Sequence, residues 1–271
     1  MSHMPYEVYA LRYATHEGRR GRENFIFPDF HDDELMPLDF FVWVVRNAQR
    51  TIVVDTGFDS DTARKRQRTF LHDPVEMLAA IGIAAAQVTD VVITHMHYDH
   101  CGNLSAFPNA RIHLQDDEMA YCTGRCMGHA ALRKPFEAKD VMNAVRCLFE
   151  GRLVFHKGRA EIASGVVLHH VGGHTKGLQV VGVATARGDI VLASDAAHYW
   201  TNLRERSPFP IVVDLEGMLE AFGTIESLAD GPYHVIPGHD PRVLDVFPRL
   251  AGHADIAVLH AHPVADAVDF A

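Results

Sequence analysis

The segment Thr94-His95-Met96-His97-Tyr98-Asp99-His100 constrains this chain more than any other stretch of it. Three imidazoles and one carboxylate fall within the six positions from His95 to His100, directly after the apolar run Val91-Val92-Ile93. A short β-branched run of that kind reads as a buried strand, so the cluster begins where a strand leaves the core. In extended chain, residues two apart face the same way. His95 and His97 can therefore converge on one point, and Asp99 and His100 can reach a second point nearby as the chain turns. Imidazole nitrogen and carboxylate oxygen are good ligands for borderline divalent ions such as zinc. A solvated polar patch fits poorly beside three buried aliphatic residues.

Three more places match in kind. Gly172-Gly173-His174-Thr175 follows a predicted strand at 166–171, Ser194-Asp195 ends one at 190–193, and Pro237-Gly238-His239-Asp240 ends one at 234–236. Each sets a ligand-type side chain just beyond an apolar run, and the glycines permit tight turns toward a shared centre. Any one of these residues alone reads as an ordinary loop residue. Four such strand ends in one chain do not.

The remaining pattern predicts strands at 8–13, 39–46, 51–55, 91–94, 111–114, 153–155, 178–185 and 189–193. It predicts helices at 74–80, 116–121, 137–149, 215–228 and 243–250. In the 137–149 helix, Val141, Val145 and Leu148 fall on one side. Asn47-Ala48-Gln49-Arg50 and Ala186-Arg187-Gly188-Asp189 read as hairpin turns. Hairpins outnumber βαβ crossovers, which disfavours a doubly wound sheet and favours an α+β fold of two mostly antiparallel or mixed sheets covered by helices. The stretch 18–37 is a long loop carrying Phe25, Ile26, Phe27, Phe30 and Met36. It reads equally as a surface loop pinned by its aromatics or as a lid. With no repeat and no low-complexity linker, one domain spanning 1–271 is the simplest organisation.

The 271 residues carry 25 Lys+Arg against 35 Asp+Glu, a formal charge of −10. That balance argues against nucleic-acid and anionic-membrane partners, but not against a small anionic substrate beside a metal. No run approaches the ~20 apolar residues of a membrane span, and MSHMPYEVYA has no apolar signal core. A cytoplasmic location is expected, with Cys101, Cys122, Cys126 and Cys147 unpaired. There is no GxSxG, GxxxxGK[ST] or GxGxxG, so serine-nucleophile, nucleotide and nicotinamide chemistry lose their usual support.

THMHYDH matches the HxHxDH signature of the metallo-β-lactamase fold superfamily. GGHT at His174, the SD pair at Asp195 and PGH at His239 follow in the order and broad spacing of that family over nearly the whole chain. Within it, the chain most resembles the N-acyl homoserine lactonase-like metal-dependent lactonases, through VDTG around Asp55 and HYDHCGNLSAFPNA. The resemblance implies an αββα sandwich, two mixed β-sheets flanked by helices, with two divalent ions per chain at one edge. Zinc is the leading ion, with manganese, iron or cobalt as alternatives. It assigns His95, His97 and His174 to one ion and Asp99, His100 and His239 to the other, with Asp195 bridging and Asp55 just behind.

The implied activity is that of a dinuclear hydrolase opening the ester ring of a lactone by attack of a metal-bridging hydroxide, with Asp99 shuttling the proton. N-acyl homoserine lactone is a candidate substrate and quorum quenching a candidate role. The lactonases usually carry a tyrosine three residues after the bridging aspartate. Here that position is His198, with Tyr199 next, and either is a candidate for polarising the substrate carbonyl. The segments 25–30 and 119–149 are candidate substrate walls. A glyoxalase-II-like thioesterase or another small-molecule ester or amide ring hydrolase is the alternative, though 251–271 has neither Lys nor Arg to recognise glutathione. The expected partner is a small lactone or related ester, with no nucleic acid and no membrane; a homodimer would be unsurprising.

Overall fold

Strand β2 (Leu38–Arg46) shows how the layers form. Its residues from Leu38 to Val45 are all buried. Phe41, Trp43 and Val45 join one apolar cluster, while Phe40, Val42 and Val44 join another. A strand covered on both faces loses the polar alternation of a half-exposed one, and LDFFVWVV is that continuous run. The computed structural model describes residues 4–27 and 33–264.

The other strands, numbered in chain order, are β1 (Glu7–His16), β3 (Thr51–Val54), β4 (Thr69–Phe70), β5 (Asp90–Val92), β6 (Arg111–Gln115), β7 (Leu153–His156), β8 (Ala160–Ala163), β9 (Val166–His170), β10 (Gln179–Thr185), β11 (Gly188–Ser194), β12 (Val235–Pro237) and β13 (Ile256–Val258). The first sheet runs β13-β1-β2-β3-β5-β6-β7, with β4 beside β1; the second runs β12-β11-β10-β9-β8. Helices are α1 (Ser60–Arg66), α2 (Tyr98–Cys101), α3 (Asp116–Thr123), α4 (Ala130–Arg133), α5 (Ala138–Phe149), α6 (Trp200–Arg204), α7 (Leu215–Ser227) and α8 (Val243–Val246). One core cluster joins Trp43 and Val54 of the first sheet to Leu168, Val181 and Leu192 of the second and to Met218 and Phe222 of α7. The other backs the first sheet with Tyr121 of α3 and Ala144 and Cys147 of α5. This is the αββα arrangement of two mixed sheets between helices.

Several expectations need correction. Crossovers are not sparse in the first sheet: β3, β5, β6 and β7 pair in parallel, one after another. Short helices and single turns connect β3 to β5 and β5 to β6, while α3, α4 and α5 lie between β6 and β7. Helix α1 carries no apolar stripe; it is set by caps, with Asp59 accepting from the Thr62 amide and Gln67 closing it at φ 56°. The predicted helix at 74–80 is a 3-10 turn over Glu76–Ile81. The helix predicted over 243–250 stops at Val246, two residues ahead of Pro248. Helix α5 turns Asp140, Ala144 and Cys147 inward, leaving Val141 and Val145 at the margin and Leu148 exposed. In the 18–37 loop, Phe25 is buried and Phe27 exposed; Phe30 lies outside the described residues. The four cysteines are free. Among the described residues no helix is long and apolar enough to cross a membrane.

Candidate metal centre

The seven expected donors come from four strand exits at one edge of the two sheets. Strand β5 feeds the turn bearing His95 and His97 and then α2 with Asp99 and His100. The turn between β9 and β10 presents His174. β11 ends at Ser194, whose φ of 46° swings Asp195 inward, and β12 ends at Pro237, two residues before His239. All seven are buried.

Their donor atoms gather in two sets that meet at Asp195. His95, His97, His174 and Asp195 offer atoms all within 4.8 Å of one another, as do Asp99, His100 and His239. His174 Nε2 lies 2.8 Å from His97 Nδ1 and 3.2 Å from His95 Nε2. Asp195 spans both sets: Oδ2 is 3.2 Å from His174 Nε2, and Oδ1 is 3.2 Å from His100 Nε2 and 3.0 Å from His239 Nε2.

Backbone and carboxylate acceptors turn the rings. His174 Nδ1–H donates to the Ile211 carbonyl (2.5 Å) and His239 Nδ1–H to that of Asp39 (2.7 Å). His100 Nδ1–H donates to Asp55 Oδ2 at 2.7 Å. In each case Nε2 is left free to face the centre. Asp55 is itself held by the Thr94 amide at 2.7 Å and hydroxyl at 2.8 Å, from a left-handed backbone of φ 60°. It thus stands directly behind the donors, as expected.

One residue escaped the sequence reading. Glu118 belongs to an acidic first turn of α3, where Asp116 and Asp117 are exposed, yet it is wholly buried. It accepts from the Met96 amide (2.8 Å), the Thr175 hydroxyl (2.6 Å) and the Gly177 amide (3.0 Å). It therefore clamps the loop of His95 and His97 to the loop of His174. A Cβ on Gly177 would sit 2.1 Å from the Glu118 nitrogen, so glycine is required there by close approach. Nothing local distinguishes Glu118 from its neighbours; only the tertiary contact does.

The two substrate-contact candidates diverge. His198 Nε2 lies 3.0 Å from Asp195 Oδ2, and its ring stacks on Phe209 with centroids 3.3 Å apart. With Asp195 and His239 it forms a third group of donor atoms within 4.8 Å. Tyr199 caps α6, and its hydroxyl donates to the Met36 and Pro37 carbonyls at 3.3 and 3.1 Å.

The donors fit metal cations. Burial first, then neighbouring imidazoles, hold His95 and His97 well below the ordinary histidine pKa, so both rings are neutral and ligand-competent. Three imidazole rings pointing nitrogens at one another at 2.8–3.2 Å call for a shared cation. At the other set, burial opposes charge on His100, yet Asp195, Asp99 and Asp55 together raise its pKa well above the usual value. That spot is a well for positive charge. His100 Nε2 is buried without a hydrogen-bond partner, as a ligating nitrogen would be.

Comparison with known proteins agrees with this geometry. The model of the metallo-beta-lactamase superfamily matches residues 38–239, a span that holds all seven donors. N-acyl homoserine lactonase AiiA of Bacillus thuringiensis subsp. kurstaki is 24% identical over 191 residues, covering 65% of this chain and 71% of the relative. N-acyl homoserine lactonase AttM of Azorhizobium caulinodans is 26% identical over 195 residues, covering 67% and 69%. A crystal structure of a quorum-quenching N-acyl homoserine lactone lactonase superposes with a TM-score of 0.71 at 20% identity, over 89% of this chain and 95% of that one.

Proposed function

The chain belongs to the metallo-β-lactamase superfamily and is a hydrolase of it; from that premise we propose that it opens the ester ring of a lactone with two divalent cations, zinc foremost, held by His95, His97, Asp99, His100, His174, Asp195 and His239. The observation that carries this reading is the pair of donor sets sharing one carboxylate, Asp195. The lactone as substrate is supported by the relatives, which bear the name N-acyl homoserine lactonase.

Bound there, the cations would supply the Lewis acidity that polarises a carbonyl and makes water nucleophilic at neutral pH. The chain's own residues do the rest. Asp99 has the most exposed side chain among the acidic donors, 11% against 5% for Asp195, and so faces the side from which a substrate arrives. It takes the proton of the attacking water and returns it to the ring oxygen as the C–O bond breaks. Ile211, Asp39 and Asp55 keep three imidazoles in one tautomer through that cycle. Of the two substrate-contact candidates, His198 is the one whose imidazole reaches the centre, where its Nε2 lies 3.0 Å from Asp195 Oδ2 and orients that carboxylate. Tyr199 instead ties α6 to the chain at Met36 and Pro37.

The test is a hydrolysis screen of lactones, thioesters, β-lactams and phosphodiesters on protein of measured metal content. Lactone turnover with close to two ions per chain is expected. Thioester or phosphodiester turnover without lactone turnover would replace the substrate class. Metal content that never exceeds one ion after supplementation would end the two-ion assignment.

A further inference from the structure

Beside the metal centre lies a cavity of about 910 Å³ whose chemistry runs against the rest of the molecule. In a chain of net charge −10, it is lined by Lys65, Arg66, Arg68, Arg133 and Lys134 and by no acidic residue. Its apolar wall includes Cys122, Met127, Phe136, Val141 and Met142. Lys65 and Arg66 share one carboxylate, Glu137, at 2.6 and 2.8 Å. The other three have no ion-pair partner among the described residues: Arg68 Nε donates to the Tyr98 hydroxyl, and Arg133 donates to the Met127 and Gly128 carbonyls. Clustered like charges repel and weaken the fold unless something anionic compensates them.

The cavity adjoins the donors through two aromatic rings. Phe136, in its wall, meets the His97 ring edge-on at 4.6 Å. Tyr98, between His97 and Asp99 in sequence, lies under the Arg66 guanidinium at 4.0 Å. A molecule whose reactive carbonyl sits at the metal centre thus has, on the far side of these two rings, a partly apolar cavity rimmed by cations. A plain alkyl chain would use the wall and leave the cations unanswered.

We propose that this cavity receives the acyl portion of the substrate, and that this portion ends in an anionic group held by Arg68, Arg133 and Lys134. The identity of the bond that is cut rests on the ring-opening reading above; the anion site does not. The test is calorimetric binding of octanoate and of octanedioate to zinc-loaded protein in low salt. Either acid can place one carboxylate on the metals, so the difference between them reports the far end of the chain. Octanedioate should bind at least tenfold more tightly, beyond the factor of two that its equivalent ends allow. That gap should narrow several-fold in Arg68→Gln and in Arg133→Gln with Lys134→Gln, and likewise at high salt, where charge pairing is screened. Lys134→Gln alone, which disturbs no hydrogen bond of its side chain, should narrow it in part and guards against misfolding of the double variant. Equal binding of the two acids by the parent protein, or a gap untouched in every variant, overturns the proposal. A protein that opens no lactone yet keeps the gap retires the ring-opening reading and leaves the anion site standing.

Discussion

The two halves of the metal centre share Asp195 but are built on different principles. The His95, His97 and His174 half presents imidazoles only, and its loops are fastened together from below by Glu118 through three hydrogen bonds. The Asp99, His100 and His239 half contains a carboxylate of its own and is backed by another, Asp55, 2.7 Å from His100. In the first half, burial keeps the His95 and His97 rings neutral. The second is a well for positive charge and holds the more exposed acidic donor. On the ring-opening reading proposed above, the first half would hold position and the second would handle charge and proton movement.

The largest effect should come from the residue the halves share. Asp195→Ala removes negative charge from both, so kcat/KM is expected to fall by more than the ~10–100-fold typical of losing an outer partner, with metal content down at both halves. Elemental analysis and turnover of the purified variant check it; normal values for both would show that Asp195 does not bridge. Next is Asp55→Asn, which presents an NH₂ where the Thr94 amide and hydroxyl and His100 all donate. It should weaken metal retention ~10–100-fold, and only in the half containing His100, leaving close to one ion per chain. Equal loss from both halves would erase the asymmetry.

Glu118→Gln probes the first half. An amide satisfies fewer of the three donors, so a stability loss of ~1–3 kcal/mol is expected, read as a lower midpoint of denaturation. Turnover should fall less than tenfold, and metal should be lost preferentially from the His97 and His174 half. The smallest effect on catalysis should come from Asp140 of α5, buried with both side-chain oxygens unpartnered. Burial pushes its pKa up to about 7 from 3.8. Between those values the native state holds a proton the unfolded chain has released, so parent stability falls as pH rises from about 4 to about 7 and is flat beyond. Asp140→Asn should remove that slope and gain as much as ~4 kcal/mol above pH 7, at ~1.36 kcal/mol per pH unit, with turnover unchanged. Denaturant melts of both proteins at pH 5 and 8 decide it. An identical slope in the variant would assign the pH dependence elsewhere.

Much of the centre was legible in the chain because metal donors at strand exits leave a local mark. Each donor sits a few residues beyond an apolar run, and His95, His97, Asp99 and His100 stand nearly side by side. The strands themselves were readable for the same reason, as in the continuous apolar run of β2. The misread elements lacked such marks: α1 is defined by its caps, the connection from β5 to β6 holds only the one-turn α2 and a 3-10 turn, and α5 turns inward a face that includes Asp140.

What the sequence determined by itself is the inventory of donors and the layering, since both depend on side-chain type at periods of two or three to four residues. The tertiary structure alone decided how distant stretches act on one another. It brought Glu118 under two loops more than fifty residues apart in the chain, turned His198 toward Asp195 and Tyr199 toward Pro37, and set Arg68 of the α1 exit beside Arg133 of α4. Hydrogen bonds and charge act over a few ångströms of space, and no local pattern records which remote groups folding will place within that reach.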